Sequence, residues 1–211
     1  MSSTCRRGLW RRTGFGLAVY DGRWHLYPTL PTPPGVTRLF AQVSAGSGIE
    51  CRPALVWTSH LDGRVGLFSP GLVAMGRDDI EQLAKRVWAT YVTPLAAYEA
   101  RLQEALAPGT VFSFEDVRDA VVEYIVSHEV GHAHQESERK VLSPGQKEDD
   151  ADVFAGVVAA AEGWNLLLHR MVARTIGCTG ALCVHGSPDR RERMFQRGVE
   201  ARRLQTTSRT G

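Results

Sequence analysis

No stretch of this 211-residue chain reaches the roughly 18 consecutive apolar residues that a membrane-crossing helix needs. The richest run, "VFAGVVAAAEGWNLLLH", is interrupted by Glu162 and Asn165. The early arginines, Arg6, Arg7, Arg11 and Arg12, have no apolar segment behind them, so no secretory signal is expected. Cysteine is scarce: four residues without such a signal suit a reducing compartment better than a disulfide framework, and the expected location is cytoplasmic. Cys178 and Cys183 form a lone C-x4-C pair with no second pair to complete a metal site; buried thiols or a disulfide are the alternatives. A large charge of one sign is missing too. The net charge of +2 is too mild to imply a nucleic-acid partner. Arginine does gather near the far end, at Arg190, Arg191, Arg193, Arg197, Arg202 and Arg203, which reads as a solvated segment or as the footprint of an acidic partner. There is no internal repeat and no low-complexity tract.

What is present is ordinary in bulk. An apolar fraction of 43% and a charged fraction of 23% fit a globular chain, and the length suits a single domain over residues 1–211. Residues 14–75 are rich in glycine, proline and β-formers. "GFGLAVY", "RWHLY", "RLFAQVSAG", "ALVWTS" and "RVGLFSP" are expected as short strands, with turns at Asp21-Gly22 and Asp62-Gly63 and a rigid connector at "YPTLPTPPG".

Over residues 78–205 the periodicity becomes helical. "DDIEQLAKRVWATYV" and "LAAYEARLQEALA" meet at Pro94 and stop at Pro108-Gly109. Ser113 heads a capping-box pattern for a helix running to about Gln135. Ser143 with Pro144 and Gln146 opens another, expected to continue to about Ile176 and end at Gly177. A last helix is expected from Pro188 to about Leu204, with Met194, Phe195, Val199 and Leu204 as its apolar side. The fold class is α+β: a small sheet, then helices.

The chemistry concentrates at "SHEVGH", residues 127–132. Val117, Val121, Tyr124, Ile125, His128 and His132 share one helical face, so the two imidazoles continue a core-facing stripe and lie one above the other. Two histidines at that spacing can bind one metal ion, and Glu129, turned about 100° around the axis, can reach a water on it. Zinc needs neutral nitrogen ligands and an open position, where a water becomes acidic enough for a glutamate to take its proton. The bland alternative is a core histidine pair on an amphipathic helix. Against it stands "KEDDADVFAG", residues 147–156, on the next helix. In one assignment Glu148 is the third ligand and Asp152, one turn on, orients a ligating histidine. The competing reading, that the acidic residues only complement a helix N-terminus, leaves the carboxylate at position 152 unexplained.

"HEVGH" followed by "E-D-D-A-D" resembles the gluzincin metallopeptidases, whose pattern is HExxH and then ExxxD. The form E-x-x-A-D with "FA" behind it looks most like the CAAX-prenyl-protease and heat-shock-protease family, here in a short form without membrane helices. "VHGSPDRR" is similar to a third segment of that family, placing His185 and Arg191 at its histidine–arginine spacing; Gly186 and Ser187 stand where the family has prolines. The resemblance covers about residues 113–200. It implies a zinc metallopeptidase with His128, His132 and Glu148 as ligands, Glu129 as general base and Asp152 behind a ligand. His185 would stabilise the oxyanion with Arg191 in support, and the partner would be a peptide or protein substrate. The alternative is a zinc-binding regulatory module whose arginine-rich ends engage nucleic acid or a protein.

Overall fold

The computed structural model describes residues 10–13, 16–20, 24–49, 52–94, 112–178 and 186–208. Strands β1 (Trp10–Thr13), β2 (Gly16–Tyr20) and β3 (Trp24–Tyr27) form an antiparallel meander. Strands β4 (Thr29–Leu30), β5 (Ala54–Thr58), β6 (Gly66–Ser69) and β7 (Leu72–Gly76) form a second sheet in the order β4-β5-β7-β6. In it β5 and β7 run parallel, while β6 lies antiparallel to β7 and ends the sheet. Strand β7 was not expected from the sequence. Its "LVAM" is fully buried, so it shows no in–out alternation to mark it as a strand.

The expected strand "RLFAQVSAG" is instead the end of helix α1 (Pro34–Gly46). Val36, Phe40 and Val43 fall at i, i+4 and i+7 and are buried along one face. The connector "YPTLPTPPG" is likewise not inert. It contributes β4, and its last prolines start the helix, with Pro34 at a position where the missing N–H costs nothing. The turn at Asp62-Gly63 is present, with positive φ at both residues (54° and 82°). The turn expected at Asp21-Gly22 and the segment "LAAYEARLQEALA" to Pro108-Gly109 lie outside the described residues.

Helix α2 (Arg77–Val87) passes into a π-helical turn, Trp88–Val92. Helix α3 (Phe114–Ser137) begins at the expected capping box, Asp116 N–H donating to Ser113 Oγ (3.1 Å) and Ser113 N–H to Asp116 Oδ2 (2.7 Å). Helix α4 (Pro144–Glu162) begins as expected at Ser143 but does not reach Ile176. Gly163 adopts the left-handed conformation (φ 71°), and Asn165 caps a new helix, α5 (Leu166–Ile176), accepting from the N–H groups of Leu167 and Leu168. Helix α6 (Pro188–Thr207) follows from a Ser187 cap. Its apolar side is shorter than expected: Phe195 and Val199 are buried, Leu204 is exposed, and Arg191 occupies a core position.

Helix α3 lies at the centre. Val117, Val121, Tyr124 and Ile125 join one apolar cluster with Val36 and Phe40 of α1, Val73 and Met75 of β7, Leu83 of α2 and Phe195 of α6. Two glycines set the closest helix crossing. A Cβ on Gly156 of α4 would collide with the Phe195 carbonyl, and one on Gly198 of α6 with the Val153 carbonyl. The two backbones therefore touch, and Arg191, two turns before Gly198, is carried onto α4.

Candidate metal centre

His128 and His132 stand one turn apart on α3, their ring centroids 4.7 Å apart and nearly perpendicular. After the short loop that follows α3, the first turns of α4 bring Glu148 opposite them. Glu148 Oε2 lies 3.3 Å from His128 Nε2, and its Oε1 lies 3.5 Å from His132 Nε2. One ligand atom from each residue falls within 4.8 Å of the other two, so a single metal ion can touch all three. The neighbouring acids turn elsewhere. Asp149 accepts two hydrogen bonds from Arg190 (2.8 and 2.6 Å), and Asp150 pairs with Lys140 (3.1 Å). His134 pairs with Glu138 (3.3 Å), away from the cluster.

Asp152, only 1% exposed, sits one turn beyond Glu148 and receives donors from two helices, α3 and α6. Its Oδ1 lies 2.9 Å from His128 Nδ1 and accepts from Tyr124 Oη (2.6 Å) and Arg191 Nη2 (2.6 Å); its Oδ2 accepts from Arg191 Nε (3.0 Å). Arg191 Nη2 is also 3.3 Å from His128 Nδ1, but both nitrogens are donors when Nδ1–H donates to Asp152, so this contact is not a hydrogen bond. Arg191 is 4% exposed, so this arginine is a buried counter-ion of Asp152. His185, which it was expected to support, lies outside the described residues.

The charges follow from this packing. Burial raises the Asp152 carboxyl, and Arg191 with His128 more than reverses that, leaving its pKa below the ordinary value. Burial disfavours charge on His128, yet hydrogen bonds to Asp152 and Glu148 outweigh it and push its pKa up to about 9 in the metal-free protein. Glu129 is raised, first by burial and against the pull of His128 and His132. Glu129 is 7% exposed as a residue, and its carboxylate makes no hydrogen bond or ion pair among the described residues. It lies beneath the edge strand: a Cβ on Gly66 of β6 would be 2.5 Å from Glu129 Oε1. Phe68, on the same face of β6, sets its ring 6.0 Å from that of His132.

Two side chains at the site were not singled out as functional in the sequence. Tyr124 reads as part of the apolar stripe, yet its hydroxyl serves Asp152 and its ring stacks on His128 (6.2 Å, 13°). Gln135, 4% exposed, places Oε1 3.3 Å from His132 Nδ1 and donates from Nε2 to the Lys147 carbonyl (2.7 Å). The available signal was a polar residue three positions after a ligating histidine, which is the helical spacing for contact.

Cys178 is disulfide-bonded, which removes it as a metal ligand; Cys183 lies outside the described residues. No helix among the described residues is long and apolar enough to cross a membrane. Compared with protein-family models, curated proteins and solved structures, the chain matches none of them.

Proposed function

We propose that the chain is a zinc-dependent peptidase in which His128, His132 and Glu148 hold the metal and Glu129 acts as general base. The observation that carries this reading is the state of Glu129. A largely buried glutamate whose carboxylate has no hydrogen bond or ion pair among the described residues is costly, and proteins keep such groups chiefly where chemistry uses them. Here it stands beside a three-ligand cluster.

The ligand set fits zinc. Bonds of about 2.0–2.1 Å in a tetrahedron put neighbouring ligand atoms roughly 3.3 Å apart. The histidine-to-Glu148 separations are 3.3 Å to Oε2 and 3.5 Å to Oε1, and one atom from each of the three residues lies within 4.8 Å of the other two, a spread that closing on an ion would tighten. Zinc held there would make a water in its fourth position acidic near pH 7 and would polarise a substrate carbonyl. Glu129, its carboxyl raised by burial, takes the attacking water's proton and can return it to the leaving amine. Asp152 holds His128 with Nδ1 protonated, so that Nε2 is the nitrogen that gives up its proton and offers its lone pair to the ion. The edge of β6 beside Glu129 and His132, which pairs with no further strand among the described residues, offers an extended peptide a strand to pair with.

The alternative, a zinc-binding regulatory module using its arginines to hold nucleic acid or a protein, draws less support. Arg190 and Arg191 are both engaged by carboxylates of α4. The deciding test is Glu129→Gln assayed for zinc content and for cleavage of a peptide library. It should keep its zinc and lose cleavage by at least about 10²-fold. Loss of zinc from that variant would make Glu129 a ligand. Absence of cleavage by the wild type would favour the module.

A further inference from the structure

Gln135 joins two parts of the metal centre that come from different helices. It is on α3, one turn beyond His132, and its amide reaches across to the first turn of α4. The residue it reaches, Lys147, immediately precedes the ligand Glu148.

The polarity of this contact is forced. The Lys147 carbonyl can only accept, so it must face the amide nitrogen of Gln135, which donates to it at 2.7 Å. That turns the amide oxygen towards His132. An amide oxygen can only accept, so the nitrogen facing it at 3.3 Å, Nδ1, must carry the imidazole proton. In neutral His132 the other nitrogen, Nε2, is then left with its lone pair. Nε2 is the atom that looks at Glu148 Oε1 across 3.5 Å. A backbone carbonyl thus fixes an amide, the amide fixes a tautomer, and the tautomer aims a lone pair.

We infer that Gln135 is a positioning residue for the metal: it sets the tautomer of His132 and, through Lys147, holds Glu148 in register with it. This inference rests on reading His128, His132 and Glu148 as a metal centre. The two histidines are then prepared by different chemistry. His128 is backed by a carboxylate whose charge Arg191 offsets; His132 is backed by a neutral amide. Backing both with carboxylates would bury another negative charge beside Glu148 and Glu129. An amide orients the ring without that charge. Gln135 also fills its place tightly, being 4% exposed, so neither of its hydrogen bonds is exchanged for bulk water.

The test compares wild type, Gln135→Met and Gln135→Glu. Methionine keeps the volume and removes both hydrogen bonds; glutamate keeps an acceptor for His132 and loses the donor to Lys147. Zinc affinity is measured by competition with a chelator, and the imidazole N–H signals of 15N-histidine-labelled protein are recorded by NMR. Wild type should bind one zinc and show a protected Nδ1–H on His132. Gln135→Met should bind zinc roughly 10 to 100 times more weakly and lose that signal. Gln135→Glu should recover the Nδ1–H signal, which a merely space-filling role would not produce. Wild-type affinity and an intact Nδ1–H in Gln135→Met would overturn the inference and leave the metal centre standing. If Gln135→Met does not fold, absence of the Nδ1–H signal in Gln135→Glu overturns it. A wild type that binds no zinc would overturn the reading beneath it.

Discussion

Tyr124 and His128, one turn apart on α3 with their rings stacked 13° from parallel, both serve the same atom, Asp152 Oδ1. Arg191 Nη2 donates to that oxygen as well. The carboxylate that backs His128 is therefore held from three sides, and its charge is balanced by a buried guanidinium rather than by water.

Replacing Asp152 by asparagine should separate these roles. The amide can still accept from His128 or Tyr124, but Arg191 keeps only the longer contact to Glu148 (4.0 Å) as a charged partner, which costs roughly 3 kcal/mol. Denaturant unfolding of the metal-free protein should show that loss, and zinc competition should show roughly 10 to 100-fold weaker binding. Tyr124→Phe removes one donor and no charge, so its loss of stability should be smaller, about 1 kcal/mol. Equal losses in the two variants would mean that the ion pair contributes little.

The protonation of His128 gives a pH dependence with a definite sign. Its pKa is about 9 in the folded metal-free protein, against an ordinary value of 6.5. The folded form therefore holds a proton that the unfolded chain releases over that interval. The resulting stabilisation is fully present below pH 6.5 and is lost as pH rises through 9. A metal ligand at Nε2 must give up that proton, so binding at pH 7 should release about one proton from His128. Calorimetry in two buffers of different ionisation enthalpy reads the number directly. A buffer-independent enthalpy would mean that His128 is already neutral.

Gly66 is the third point of leverage. A methyl group there would lie 2.5 Å from Glu129 Oε1 and 2.7 Å from Ile125 Cγ2. Gly66→Ala should push Glu129 or the edge strand aside while leaving the three ligands in place. The proposed peptidase activity should then drop at least tenfold with zinc content unchanged. A variant with full turnover would show that the strand can give way without moving the base.

Much of this centre was legible because helical spacing is rigid. Once Ser113 and Ser143 fix where α3 and α4 begin, the positions of His128, His132, Glu148 and Asp152 follow from 3.6 residues per turn. Residues 34–46 were harder. "RLFAQVSAG" carries β-branched and aromatic residues that suit either state, and the deciding signal was the pair of prolines before it. Strand β7 showed no alternation because both its faces are covered. The break at Gly163 was hidden inside an apolar run, where the glycine and the following Asn165 act as stop and start together. Arg191 was legible only as one of many arginines. Its burial depends on the contact of Gly156 with Gly198, a long-range event that no local pattern announces.

That crossing has a consequence in time as well as in space. Asp152 and its guanidinium partner are 39 residues apart, and α6 is synthesised after His128, His132 and Glu148, the three residues that could hold a metal. At about 5–20 residues per second, translation leaves an interval of a few seconds in which α3 and α4 exist and Arg191 does not. During it, a buried Asp152 would have only His128 and Tyr124 of α3 as partners, so closing the two helices on each other lacks the guanidinium that completes its charge balance. Completion of the centre is thereby tied to the arrival of α6, and a nascent chain stalled before that helix carries His128, His132 and Glu148 without the guanidinium that pairs with Asp152 behind them.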